Sequence, residues 1–367
     1  MLLPSMIPAT LSLMQLHDIL GQLFMVGIPQ PTLDAKTQTT LQELRPGGII
    51  LFRRNYTDPA TLAELCKELH SLFPDDALLI AIDHEGGRVD RLQPPFTHFP
   101  PMLKVGATGS IDLAYRTGMA MGHELRSVGI DLDFAPVLDV LTNPSNTVIG
   151  DRAFSSDPYL VAQFGCALAR GLRTAGVIPC GKHFPGHGGT LLDSHADLPH
   201  DERSVEKLHQ IDLYPFRQAI HDGIEMIMTA HVLYPELDPN LPASRSQRII
   251  TQLLRQQMGF HGVVVSDDLE MGAIVRHSTV TQAVVDAVHA GADLLPVCHK
   301  IELAIDARDA CIRAIEDGTL SRSRIAQAAG RISVLKQQHR QRKLPIVEHV
   351  DTQMHARLVE EIQRAMA

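Results

Sequence analysis

Residues 259–268 read GFHGVVVSDD. A polar, helix-like segment runs up to Gly259, three consecutive valines follow Gly262, and the run ends abruptly in Ser266, Asp267 and Asp268. Glycine past a helix takes up the left-handed cap conformation without a Cβ penalty. An apolar run with no alternation suits a strand buried on both faces, as in a parallel sheet. The same helix, glycine, strand unit recurs in RPGGIILF (45–52), RSVGIDLDFAPV (126–137), RTAGVIPC (173–180), HDGIEMIMTA (221–230) and HAGADLLPV (289–297). With LFMVG (23–27) and ALLIAID (77–83) the runs number eight. Asp58-Pro59 and Asp157-Pro158 mark helix starts between them, Asp capping the free amides and Pro taking the first helical position. Eight strands alternating with helices predict an α/β fold, a single (β/α)8 TIM barrel with extra terminal helices. The competing layout is a Rossmann-like layered sheet, but no GxGxxG opens the first helix.

Length and composition bound this reading. The 367 residues carry 33 Lys plus Arg against 42 Asp plus Glu, a formal charge of −9, which opposes binding to nucleic acid or another polyanion. With 44% hydrophobic and 20% charged residues the chain can build a sizeable core. No Pro/Ser-rich linker or charge run divides it, so residues 1–367 read as one catalytic domain, the barrel at about 20–320 and C-terminal helices at about 321–367. Five Cys without a CxxC pair argue against a disulfide framework and against a thiolate zinc site. The apolar start holds two early prolines and no Lys or Arg before Lys36, so it lacks the charged region of a secretory signal. No later stretch approaches the ~20 apolar residues that span a bilayer. A cytoplasmic protein that engages no membrane is expected. The ring inventory is lopsided, with 19 His, 11 Phe, 5 Tyr and no Trp.

In a parallel barrel the reactive groups sit at the C-terminal ends of the strands. Here ALLIAI is followed by Asp83-His84-Glu85, VIPC by Gly181-Lys182-His183, MIMTA by His231, and GVVV by Ser266-Asp267-Asp268. The longest motif, KHFPGHGGTLLDSHADLP (182–199), is Gly-rich and holds His183, His187, Asp193 and His195. In Asp193-x-His195 a carboxylate can fix the tautomer of an imidazole and raise its pKa toward a proton-transfer range, although a bare DxH also reads as a loop His beside a turn-forming Asp. Ser266-Asp267-Asp268 similarly reads as a helix N-cap. Position separates the two carboxylates: Asp267 can point into the barrel mouth, whereas Asp268 is better placed to cap or to orient its neighbour. Asp83, Arg91, Arg152 and Lys182 read either as surface ion-pair members or as grips on the hydroxyls or carboxylate of a polar ligand.

IDHEGGRVDRL (82–92), FAPVLDV (134–140), IGDRAF (149–154), GKHFPGHGGTLLDSHADLP (181–199), MTAHVLYP (228–235) and GVVVSDDLEMGAI (262–274) together resemble glycoside hydrolase family 3, and within it the bacterial β-N-acetylhexosaminidases of the peptidoglycan-recycling type. The resemblance spans residues 20–300 and implies a TIM barrel. It also implies roles at matching positions: Asp267 as nucleophile, His195 polarised by Asp193 as general acid and base, and Asp83, Arg91, Arg152, Lys182 and His183 as the binding set for a terminal N-acetylglucosamine. The implied activity is a retaining exo-β-N-acetylglucosaminidase acting on N-acetylglucosaminyl-anhydro-muramyl (peptide) fragments in cell-wall recycling. Its partner would be a small glycan or muropeptide, with no cofactor and no metal, and the chain would act as a monomer. Two positions depart from the family pattern: His84, where Gln is commoner, and EMGAI (270–274) after SDDL. Neither carries the implied chemistry; what they could tune lies beyond the terminal sugar. About 70 residues remain past the eighth strand, too few for a second α/β layer domain, which disfavours a family 3 β-glucosidase with its acid on such a domain. A His/Asp metallohydrolase is a reading from another class, but HxH at a strand end and HExxH are both missing. A non-catalytic sugar-binding protein would gain nothing from keeping both Asp267 and the Asp-Ser-His triplet. The absence of Trp points to a pocket holding one sugar rather than a long polysaccharide groove.

Overall fold

The computed structural model describes residues 13–74, 76–190, 194, 197–342 and 352–366. Eight parallel strands form the centre: β1 (Phe24–Gly27), β2 (Gly48–Leu51), β3 (Leu79–Ile82), β4 (Leu132–Asp133), β5 (Ile178–Phe184), β6 (Met226–Thr229), β7 (Val263–Ser266) and β8 (Leu295–Val297). Each sits inside or beside a run that the sequence marks as a strand. Their order is β7-β6-β5-β4-β3-β2-β1-β8, with β8 paired to β1, and a parallel bridge between Val265 and Leu294 joins β7 to β8. The sheet thus closes into a (β/α)8 barrel, and the layered-sheet alternative falls away.

Every residue of every strand is buried. This is the consequence of unalternated apolar runs: side chains on one strand face pack inside the barrel and those on the other pack under the helices. Each buried Val, Leu or Ile contributes roughly 1.5–3 kcal/mol by leaving water. Asp58 and Asp157 cap the helices Pro59–Leu72 and Pro158–Thr174, their carboxylates accepting from Thr61 N at 2.9 Å and Tyr159 N at 2.8 Å. At RPGG (45–48) the left-handed cap is Arg45, at φ 53°, not a glycine. Gly47 serves close packing there, since a Cβ would lie 2.0 Å from the Gln22 carbonyl oxygen.

After β8 the helices Ile301–Glu316, Arg322–Arg342 and Thr352–Ala365 pack around the barrel. The last docks on the helix Ile111–Ser127 through buried Leu358 and Ile362, a 2.7 Å contact from His355 Nδ1 to Glu124 Oε1, and a bidentate Arg116–Glu361 pair. No described helix is long and apolar enough to cross a membrane. The five cysteines are all free and buried.

Candidate active site

A cavity of about 440 Å³ opens at the C-terminal ends of β2 through β8. Its lining includes Asp83, Glu85, Arg91, Arg152, Lys182, His183, His187, Ser194, Asp267 and Asp268. All the described members of the expected site meet here, from segments up to 184 positions apart. Asp193 and His195 lie outside the described residues.

One wall is an ion network. Lys182, only 2% exposed, donates from Nζ to Asp83 Oδ1 at 2.7 Å and pairs with Glu85 Oε1 at 2.5 Å. Arg152, held on the turn Gly150–Arg152, grips the other side of Glu85 through Nε at 2.7 Å and Nη2 at 2.8 Å. Burial pushes the Glu85 carboxyl up, but Arg152 and Lys182 outweigh it and hold it well below the usual carboxylate range. Burial likewise works against the Lys182 charge, yet Asp83 and Glu85 keep its pKa above that of an ordinary lysine. Asp133, buried beneath, goes the other way: burial pushes it well up, and its Oδ2 has no hydrogen-bond partner among the described residues. Arg91 stands 3.9 Å from Asp83, and its Nε is likewise unpartnered.

Neighbouring residues of a regular strand point to opposite faces, yet Lys182 and His183 both line the cavity. The register between β5 and β6 shifts between Gly181 and Phe184, and such an irregularity re-aims side chains. His183 Nδ1 contacts the buried Asp139 Oδ2 at 2.7 Å, and its Nε2 lies 3.4 Å from Arg152 Nη2. Since carboxylate accepts and guanidinium donates, His183 carries its proton on Nδ1.

On the opposite wall Asp267 follows β7, its backbone N–H bonded to Thr229 O at 3.1 Å and its Oδ1 accepting from Asp268 N at 2.8 Å. Asp268 caps no helix. Its Oδ1 accepts from Glu270 N and Cys298 N, its carbonyl from His231 Nε2 at 2.9 Å, and it too faces the cavity. Burial, with the charges of Glu270 and Asp267, pushes its carboxyl up to about 7. His231 is fully buried behind this turn and does not line the cavity. His84 does not line the cavity. It is buried, donates from its backbone to Asp133 Oδ1 at 2.9 Å, and packs its ring against Phe99. Glu270, Met271 and Gly272, by contrast, do line the mouth.

The sequence reading named Glu85 at a strand end without giving it a role, and passed over Asp139, Phe52 and His299. Asp139 lies inside a quoted motif, at the end of FAPVLD. Phe52 and His299 stack at the rim with centroids 5.8 Å apart, and no local signal pairs positions so distant. Among the described residues, no three His, Cys, Asp or Glu side chains converge as a metal ion would need.

A cavity with a carboxylate on one wall and fixed hydrogen-bonding charges on the other suits a polyhydroxylated ligand. The comparisons agree. The Glycosyl hydrolase family 3 N terminal domain matches residues 15–335. A beta-hexosaminidase of Thiobacillus denitrificans is 47% identical over 264 residues, 70% of this chain and 73% of that protein. One of Methylococcus capsulatus is 43% identical over 314 residues, 84% of this chain and 91% of its own. Among solved structures, a family 3 beta-N-acetylglucosaminidase from Paenibacillus sp. str. FPU-7 superposes with a TM-score of 0.91 at 40% identity, over 97% of this chain and 69% of that one. NagZ from Neisseria gonorrhoeae, in complex with N-trifluoroacetyl-D-glucosamine, gives 0.77 at 34% identity, over 94% and 98%. Family profile, barrel and strand-end chemistry thus converge: this chain belongs to glycosyl hydrolase family 3 and is a glycoside hydrolase.

Proposed function

We propose that the chain is a retaining exo-β-N-acetylhexosaminidase that removes terminal β-linked N-acetylglucosamine. The observation that carries this is the two-walled cavity, with Asp267 facing Lys182, Asp83, Arg152 and His183 across a space of about 440 Å³. The names of the relatives, beta-hexosaminidase and beta-N-acetylglucosaminidase, support the glycon. Asp83, Arg91, Arg152, Lys182 and His183 hold the sugar through hydroxyls and amide. A carboxylate of Asp267 attacks the anomeric carbon while His195, polarised by Asp193, gives its proton to the departing oxygen. The C–O bond to the aglycone breaks as the glycosyl-Asp267 ester forms. His195 then takes a proton from water, whose oxygen attacks the same carbon and releases Asp267. Two inversions give net retention.

The substrates we infer are N-acetylglucosaminyl-anhydro-muramyl fragments, with or without peptide, in cytoplasmic cell-wall recycling by a monomeric enzyme. A cavity of about 440 Å³ at the barrel mouth supports short glycans. The test is mass spectrometry after reaction with a slow fluorinated N-acetylglucosaminyl donor. A sugar adduct on the peptide that holds Asp267 is the expected result. An adduct elsewhere, or faster turnover of the glucosyl analogue, refutes the nucleophile or the glycon respectively. Activity lost in EDTA and restored by zinc would overturn the metal-free mechanism.

A further inference from the structure

His187 is 2% exposed, lines the cavity, and has no part in the chemistry above. Its contacts with the described residues are specific. The backbone N–H donates to Asp139 Oδ1 at 2.6 Å, and the carbonyl accepts from Asn146 Nδ2 at 2.8 Å and from the Thr190 hydroxyl at 3.1 Å. Because Thr190 spends its proton on that carbonyl, Thr190 Oγ1 can only accept from His187 Nδ1, 2.7 Å away. The proton therefore sits on Nδ1. Nε2 is left as an acceptor, and the group facing it at 3.3 Å is the hydroxyl of buried Ser194. This arrangement requires an uncharged ring. Burial and the neighbouring His183 hold it so, pushing the His187 pKa down to about 4 against the pull of Asp139.

Ser194 is tied on its other side as well, its carbonyl accepting from Ala273 N at 3.1 Å. Ala273 belongs to the short helix Gly272–Val275 that follows the Asp267 turn. Ser194 is also the middle residue of Asp193-Ser194-His195. One residue thus joins three things: the fixed end of the Gly-rich motif, the segment after the proposed nucleophile, and the covalent link between the two proposed proton-transfer residues.

We propose that His187 is a positioning residue for proton transfer. Its uncharged ring accepts the Ser194 hydroxyl and, with the Ala273 N–H, holds at the barrel mouth the residue from which Asp193 and His195 extend. His187 exchanges no proton with substrate. The proposal rests on the acid/base reading of His195, and the test separates the two. Removing the acceptor in H187L, or the donor in S194A, costs transfer to a poor leaving group and spares a good one, because an activated aryl group departs without protonation. The expected result is a fall in kcat/KM of about tenfold or more on a disaccharide or alkyl glycoside. The 2,4-dinitrophenyl N-acetyl-β-glucosaminide should change less than about threefold, and inhibition by N-acetylglucosamine should hold steady. H187Q, whose Oε1 can accept in place of Nε2, retains most of the activity. An equal loss on both substrates with weakened N-acetylglucosamine binding would make His187 a wall of the sugar site and overturn the proposal, as would no loss in either variant. H195A is measured alongside. If it is leaving-group dependent and H187L and S194A are not, His187 has no positioning role; if H195A itself is indifferent, the acid assignment fails and the proposal with it.

Discussion

The barrel buries charge at both ends, and the two ends use it differently. At the mouth Glu85, Lys182, Asp83 and Arg152 form a chain of pairs whose outer members face a cavity. At the base, just ahead of β4 and β8, two aspartates are sealed off. Asp131 meets Arg126 at 3.0 Å and His339 at 3.0 Å while accepting from Ile80 N of β3. Asp293 gathers Arg255, Arg324 and Arg331 at 2.5, 2.6 and 3.1 Å and accepts from Val264 N of β7. Each basal aspartate bonds its own strand's neighbour, and Asp293 does so at the β7/β8 seam where the barrel closes. Their capacity is spent on protein groups. Mouth residues keep part of theirs toward the cavity, as groups proposed to grip a ligand must, whereas a structural ion cluster spends all of it on the protein.

Variants at the two ends should separate accordingly. The largest effect is expected from D267N, which removes the proposed nucleophile but no member of either network: kcat should fall by roughly a thousandfold or more with an unchanged melting temperature. Near-normal turnover would refute its role. D293N leaves three arginines around an uncharged amide and should cost about 3–5 kcal/mol of stability in urea unfolding, while kcat/KM of the folded enzyme stays at the wild-type level. A drop in kcat/KM would mean that the base communicates with the mouth. E85Q should do both in smaller measure, losing about 2–3 kcal/mol because Gln still accepts from Arg152 and weakening N-acetylglucosamine inhibition.

Two smaller effects concern pH. The Glu85 carboxyl is depressed in the folded state, so its stabilisation is present above the unfolded value near 4.3 and is lost as pH falls through the folded one. The melting temperature of wild type should therefore fall more steeply than that of E85Q on acidification below about pH 4. Asp268 has the opposite sign. Its folded carboxyl is raised to about 7, so the folded state holds an extra proton from about pH 4 to that value, and stability falls as pH rises through the window. D268N should flatten that fall; identical pH profiles would show that Asp268 ionises freely.

The eight strands were legible because unalternated apolar runs behind helix-ending segments have few other solutions, and strand ends then nominate the site. Asp83, Lys182 and Asp267 were nominated in this way, and all three line one cavity. Glu85 was seen at a strand end but given no role, because nothing in DHEGG distinguishes a carboxylate aimed at two cations from one in water. The place of His84 was illegible for a related reason: a strand-end residue can face the cavity or the packed side, and only packing tells which.

The sequence by itself therefore determined the barrel, the end of it where ionisable groups gather and the family, since periodicity and motif order are local properties of the chain. The tertiary structure alone decided which charges meet. It paired Lys182 with Glu85 across 97 positions, put His231 behind the Asp268 carbonyl and set Ser194 between His187 and Ala273. Ion pairs and hydrogen bonds act over a few ångströms between residues that sequence separation leaves unrelated, so their partners become definite only once the sheet has closed.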